Sequence, residues 1–220
     1  MFSSWLVSTP MYLPAALMDR MGRVSSKDAV TRPPISTSDA NDHQGDEKSM
    51  QVMRNYAENF SEFYSKGAGL LLYGSVGVGK SFAAACIANE LLDRGIPCLM
   101  TDFSRIINTL TGMLQGKQDY IDHLISYDLL VIDDLGVQRN TPYANEIVTN
   151  VIDARVMSRK PLIVTTNLTT EELLGAKDIT YQRTLSRLFE HCIPIDFKGD
   201  DRRRSGGVKT DMALRGLLGI

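Results

Sequence analysis

The residues best suited to chemistry form one unbroken run, Gly74-Ser75-Val76-Gly77-Val78-Gly79-Lys80-Ser81, with the spacing GxxxxGK[ST]. Glycines let a backbone wrap closely around a polyphosphate, so that successive N–H groups meet its charge. Lys80 would then reach the β and γ phosphates of a bound nucleotide, Ser81 would ligate Mg²⁺, and Phe82 would close the nucleotide-contacting stretch. The flanks agree with this reading: an apolar run, Gly69–Tyr73, precedes the loop, and an alanine-rich helical stretch, "SFAAACIANELL", follows it. A helix starting there would turn its positive N-terminal end towards the phosphates. A chance glycine-rich turn would not carry both flanks.

A second set of polar residues lies further along the chain. "LLVIDDLG" carries Asp133 and Asp134 to the end of an apolar run, where open α/β sheets bind ligands. It resembles a Walker B motif. Asp133 would hold Mg²⁺ directly or through water, and Asp134 would orient and help deprotonate an attacking water. The plainer alternative is a pair of acids that only ends a strand. "PLIVTTNL" ends another run in Thr165, Thr166 and Asn167, and Asn167 looks like the polar residue called sensor 1, beside the γ-phosphate. Alone, such an asparagine is more often a turn former.

Five apolar runs, Gly69–Tyr73, Cys98–Thr101, Leu129–Asp133, Leu162–Thr166 and Cys192–Asp196, read as buried strands separated by helical patterns. Stripes such as Ala84, Ala88 and Leu92, or Ile147, Val148, Val151 and Ile152, give those helices an apolar face. The expectation is an α/β protein with a five-stranded parallel sheet covered by helices on both faces. With 43% hydrophobic and 23% charged residues among 220, the chain can bury one sizeable core, which excludes collagen-like, coiled-coil and mucin-like classes. A formal charge of -2 leaves no global electrostatic case for nucleic acid, though a local basic patch can still hold phosphates. Cys86, Cys98 and Cys192 lack metal-ligand spacing and suit reduced thiols in a cytoplasmic protein. No run is apolar enough for a membrane span or export signal.

Residues 1–49 read as a polar arm or linker, residues 50–204 as the nucleotide-binding domain and residues 205–220 as a tail. Within the arm, Leu13, Leu17, Met21 and Val24 recur at helical spacing and offer a docking stripe for a partner, against the plainer reading of a loose terminus.

Taken in this order, the motifs resemble the AAA+ ATPases, most closely the bacterial replicative-helicase loaders of the DnaC/DnaI type, with the IstB-type transposition helpers beside them. The resemblance covers about residues 50–204 and rests on "NYAENF", "IANELLDRGIPCLMTD", "LLVIDDLGVQ", "IVTTNL", "SRLFEH" and "FKGDDRR". It implies a P-loop NTPase core without a full C-terminal lid domain, since few residues follow Arg203. It also implies that Arg187 acts as an arginine finger on a neighbouring subunit's ATP, with Arg183 as the alternative, and that Arg203 is the sensor 2 arginine touching its own subunit's γ-phosphate. Many relatives place Glu where Asp134 stands, which bears on the water geometry. Residues Phe103 to Tyr127 supply two helices where a minimal nucleotide fold needs one, as in the initiator and loader branch. The resemblance makes Lys117, Arg139, Thr141 and Tyr143 candidates for contact with single-stranded DNA, by phosphate pairing or base stacking.

These readings converge on a cytoplasmic, ATP-hydrolysing loader or remodeller of a replicative helicase, self-associating into a ring or spiral on single-stranded DNA. Two alternatives remain: an IstB-type helper that binds duplex DNA beside a transposase, and a nucleotide-dependent binding switch with little turnover.

Overall fold

A computed structural model describes residues 47–136, 141–175, 179–199 and 201. The described chain opens with two helices, α1 (Glu47–Glu58) and α2 (Phe60–Lys66), and then runs β1 (Gly69–Gly74), α3 (Lys80–Asp93), β2 (Cys98–Asp102), α4 (Phe103–Gly112) and α5 (Lys117–Ser126). It continues through β3 (Leu129–Leu135), α6 (Pro142–Met157), β4 (Leu162–Thr166), the short α7 (Thr170–Leu174), α8 (Ile179–His191) and β5 (Cys192–Phe197). All five expected strands form. The two helices expected between Phe103 and Tyr127 are α4 and α5, and Lys117 is the first residue of α5.

The strands form one parallel sheet in the order β2-β3-β4-β1-β5. Alternation along each strand divides the core into two layers, because successive side chains point to opposite faces. Leu129 and Val131 of β3 join Leu70 and Leu72 of β1 under α1, α2 and α3, while Leu130 and Ile132 face α4, α5, α6 and α8. Both faces are therefore covered, as a parallel sheet requires. Cys86, Cys98 and Cys192 are buried and form no disulfide with one another, and burial pushes the Cys98 and Cys192 thiols up to about 12.

Local signals set the boundaries that matter for the site. Gly79, with φ 103°, is the N-cap of α3, a left-handed conformation that suits glycine. The Asp102 side chain accepts a hydrogen bond from the Arg105 N–H and starts α4 directly after β2. Thr141 does the same for α6 through the Ala144 N–H, with Pro142 in the first turn.

β3 runs two residues beyond the expected end at Asp133, and its ladder with β4 shifts register between Ile132 and Leu135. Asp133 and Asp134 thus lie in a bulged strand end, and Asp134 takes a positive φ of 59°. Among the described residues no helix is long and apolar enough to cross a membrane.

Candidate functional site: a nucleotide pocket at the sheet edge

The strand order explains why residues distant in sequence meet. β4 lies between β1 and β3, so the loop leaving β1, the acids ending β3 and the residues leaving β4 share one stretch of the sheet's carboxyl edge. Ligands of open α/β sheets bind at such a place.

Lys80 joins the first and third of these. It is 5% exposed, and its Nζ donates to the Gly74 carbonyl at 2.8 Å, the Ser75 carbonyl at 2.7 Å and Asn167 Oδ1 at 2.8 Å. A buried ammonium needs partners, and here they are the loop's own carbonyls and the side chain expected beside the γ-phosphate. The structure therefore brings Lys80 and Asn167 into direct contact. Gly74, Gly77 and Gly79 have φ values of 134°, 83° and 103°, which L side chains rarely adopt. The loop is also enclosed: a methyl group at Gly77 would collide with the Asp201 carboxylate, and one at Gly74 with the Phe197 carbonyl. The segment after β5 is thus packed against the phosphate loop, two residues before Arg203. Val78 is buried under the loop, Ser75 and Val76 are exposed, and Ser81 and Phe82 are half-buried at the start of α3.

The two acids are held by β4. Thr165 Oγ1 donates to Asp133 Oδ1 at 2.5 Å and accepts from the Asp134 N–H at 3.0 Å. Asn167 Nδ2 donates to Asp134 Oδ1 at 3.5 Å, a long contact. Asn167 thus stands between Lys80 and Asp134. The enclosed glycine loop, the buried lysine and the oxygen donors Ser81 and Asp133 fit a nucleoside triphosphate with Mg²⁺, a hard cation that takes oxygen ligands.

The remaining expected residues fall elsewhere. Arg187 lies on α8 and its Nε pairs with Asp153 Oδ1 of α6 at 2.6 Å, not with the phosphate loop of its own chain; Arg183 is exposed on the same helix. Lys117 and Tyr143 meet on one exposed surface, where Lys117 Nζ donates to the Tyr143 hydroxyl at 3.1 Å and sits 5.6 Å from the centre of its ring. Thr141 uses its hydroxyl oxygen as the cap of α6. Arg139, Arg203, residues 1–46 with the Leu13 to Val24 stripe, and the tail after 201 lie outside the described residues.

Three features of the structure carry little or no signal in the sequence. Arg155 is fully buried and donates to the carbonyls of Ile125, Tyr127, Asp128 and Pro161, at 2.6 to 3.2 Å. Burial lowers its pKa to about 10, which leaves it charged at neutral pH. Its signal was its place three and four residues after Ile152 and Val151, on the apolar face of α6. The Asp153–Arg187 pair and the Thr165 bridge had no comparable signal, since each depends on two elements becoming neighbours.

Comparison with known proteins agrees with this geometry. The family model described as "IstB-like ATP binding protein" matches residues 41–209. "Replicative helicase loader DnaC" of Buchnera aphidicola subsp. Schizaphis graminum (strain Sg) is 26% identical over 169 residues, covering 74% of this chain and 66% of the relative. The protein of the same name from Escherichia coli (strain K12) is 31% identical over 134 residues, covering 59% of this chain and 54% of that one. The chain thus spans between half and two thirds of the length of these curated relatives. A crystal structure of DnaI superimposes with a TM-score of 0.64 at 24% identity, covering 80% of this chain and 93% of the other. The resemblance read from the motifs is borne out: with an AAA+ type of P-loop core and the phosphate loop in place, the chain belongs to the IstB-like ATP-binding protein family.

Proposed function

We propose that the protein is an ATPase that loads or remodels a replicative DNA helicase, working as an oligomer on single-stranded DNA. The observation that carries the ATPase part is the junction of Lys80, Asn167 and the two acids at one sheet edge. The helicase part draws on the similarity to proteins named replicative helicase loaders.

In this mechanism the N–H groups of residues 74–81 and the N-terminus of α3 receive the phosphates. Lys80 exchanges the Gly74 and Ser75 carbonyls for phosphate oxygens, while Asn167 stays beside the terminal phosphoryl group. Ser81 and Asp133 would hold Mg²⁺, which would neutralise phosphate charge. Asp134 orients the attacking water and draws its proton. Aspartate is shorter than the glutamate of many relatives, and here it stands at the register shift of the β3–β4 ladder with a positive φ of 59°. Arg187 leaves Asp153 to meet the phosphates of a neighbouring copy, and a charge delivered in this way is worth about 10³–10⁵ in rate. Arg203, following the segment packed on Gly77, serves as the sensor 2 contact within the chain. The Lys117 and Tyr143 pair receives a single strand, with Arg139 as a further phosphate contact. Residues 1–49 act as the partner-binding arm of a domain spanning residues 50–204, ahead of a tail over 205–220, and the cytoplasm is its compartment.

The match to the IstB-like family model supports a second reading, a helper of a transposase on duplex DNA. A pull-down from the native cell with ATP present separates the two. Recovery of a hexameric helicase by the wild type and its loss with Lys80→Ala support the loader; recovery of a transposase in its place supports the helper.

A further inference from the structure

We propose that Thr165 is a positioning residue that sets the orientation of both acids at the end of β3. It rests on the assignment of Asp133 as the acid on the Mg²⁺ side of the pocket.

Thr165 is fully buried at the end of β4, where valine would fill the same space without a polar group to desolvate. Its hydroxyl has two partners, and their chemistry fixes its direction. The Asp134 amide can only donate, so it occupies an oxygen lone pair of Thr165; the one hydroxyl hydrogen is then directed to Asp133 Oδ1. An aspartate carboxylate rotates broadly about its last torsion. A donor fixed on one of its oxygens selects one orientation and leaves the second oxygen to meet a cation or its water.

The same hydroxyl acts on Asp134 through the backbone. Between Ile132 and Leu135 the β3–β4 ladder shifts register, and Thr165 Oγ1 receives the Asp134 N–H in place of a ladder carbonyl. Asp134 adopts φ 59° there, a conformation that an L residue keeps only where its surroundings hold it. One buried hydroxyl therefore orients the carboxylate of the first acid and secures the bulge that aims the second. Thr166 offers an internal comparison, because its hydroxyl donates to the Leu135 carbonyl and accepts from the Leu168 N–H without touching either acid.

The test measures how the affinity for a fluorescent ATP analogue, and separately ATP turnover, depend on Mg²⁺ concentration. Loss of a group that orients a metal ligand typically costs about 10–100-fold in metal affinity. Thr165→Val is expected to raise the half-saturating Mg²⁺ concentration by about that factor while analogue affinity in EDTA stays unchanged. Thr165→Ser restores the wild-type midpoint, and Thr166→Val lowers thermal stability without moving it. A Thr165→Val protein with the wild-type Mg²⁺ midpoint would overturn the proposal. Should Thr165→Val not fold, Thr165→Ser and Thr165→Ala differ only in the hydroxyl, and equal midpoints for that pair would overturn it equally. Failure of the underlying assignment shows separately, as a wild-type protein whose nucleotide affinity and turnover ignore Mg²⁺.

Discussion

Lys80 shows how much one side chain does in this pocket. Its ammonium is almost fully buried and donates to oxygens from two segments of chain, two from the loop it belongs to and one from Asn167, just past the end of the neighbouring strand β4. A hydrogen bond involving a charged group contributes about 1.5–3 kcal/mol, so Lys80→Ala is expected to weaken ATP binding by about 10–100-fold. Calorimetric titration of the folded variant measures this, and an unchanged affinity would remove Lys80 from the phosphate site. Lys80 was legible because the GxxxxGK[ST] spacing is local and its strand and helix flank it directly. Thr165 was visible only as a polar residue at a strand end, because its role requires β3 beside β4 and a bulge between them. That information is absent from either segment alone.

At the scale of elements, helix α6 carries two unrelated tasks. Its last turn carries Arg155, whose guanidinium ties together the end of α5, the start of β3 and the start of β4 through four backbone carbonyls. Replacing it by leucine removes every one of those donors from a dry environment. Arg155→Leu is expected to cost roughly 3–5 kcal/mol of stability and to lower the melting temperature by about 10 °C. Chemical and thermal denaturation measure the loss, and a variant as stable as wild type would make the buried cation dispensable. The stripe Ile147, Val148, Val151 and Ile152 predicted the buried face of this helix well. It did not reveal the arginine, because an average pattern treats a charge on an apolar face as noise.

The N-terminal end of the same helix faces outward. Tyr143 is 43% exposed and paired with Lys117 from the start of α5, so two residues 26 positions apart form one small cationic and aromatic surface. Base stacking on an aromatic side chain is worth about 1–3 kcal/mol, so Tyr143→Ala is expected to weaken single-stranded DNA binding by about 5–100-fold. Lys117→Ala should instead flatten the salt dependence, by about 0.7 in the log–log slope for one phosphate contact. Anisotropy titrations of a labelled oligonucleotide at several salt concentrations distinguish these effects. Wild-type binding by both variants would move the DNA path off this surface.

For the whole molecule the question is whether one copy completes the pocket of another. Within a chain the sheet edge gathers the phosphate loop, both acids and Asn167, while Arg187 stands apart in its pair with Asp153. Sequence motifs made the first group legible, because each sits at the end of a strand, and alternating strands and helices imply a parallel sheet whose strand ends share one edge. Arg187 was legible only through resemblance, and its intramolecular partner was not legible at all. Shared catalysis between copies is therefore the most exposed part of the mechanism. Lys80→Ala and Arg187→Ala should each be nearly inactive alone; one retains the arginine and the other retains ATP binding, so one of the two mixed interfaces contains every catalytic group. The decisive measurement is ATP turnover against the mixing ratio of the two variants, with single-stranded DNA present and co-assembly verified. Shared catalysis gives a curve that rises to a maximum at intermediate ratios, whereas turnover fixed at the baseline of the separate variants would contradict it.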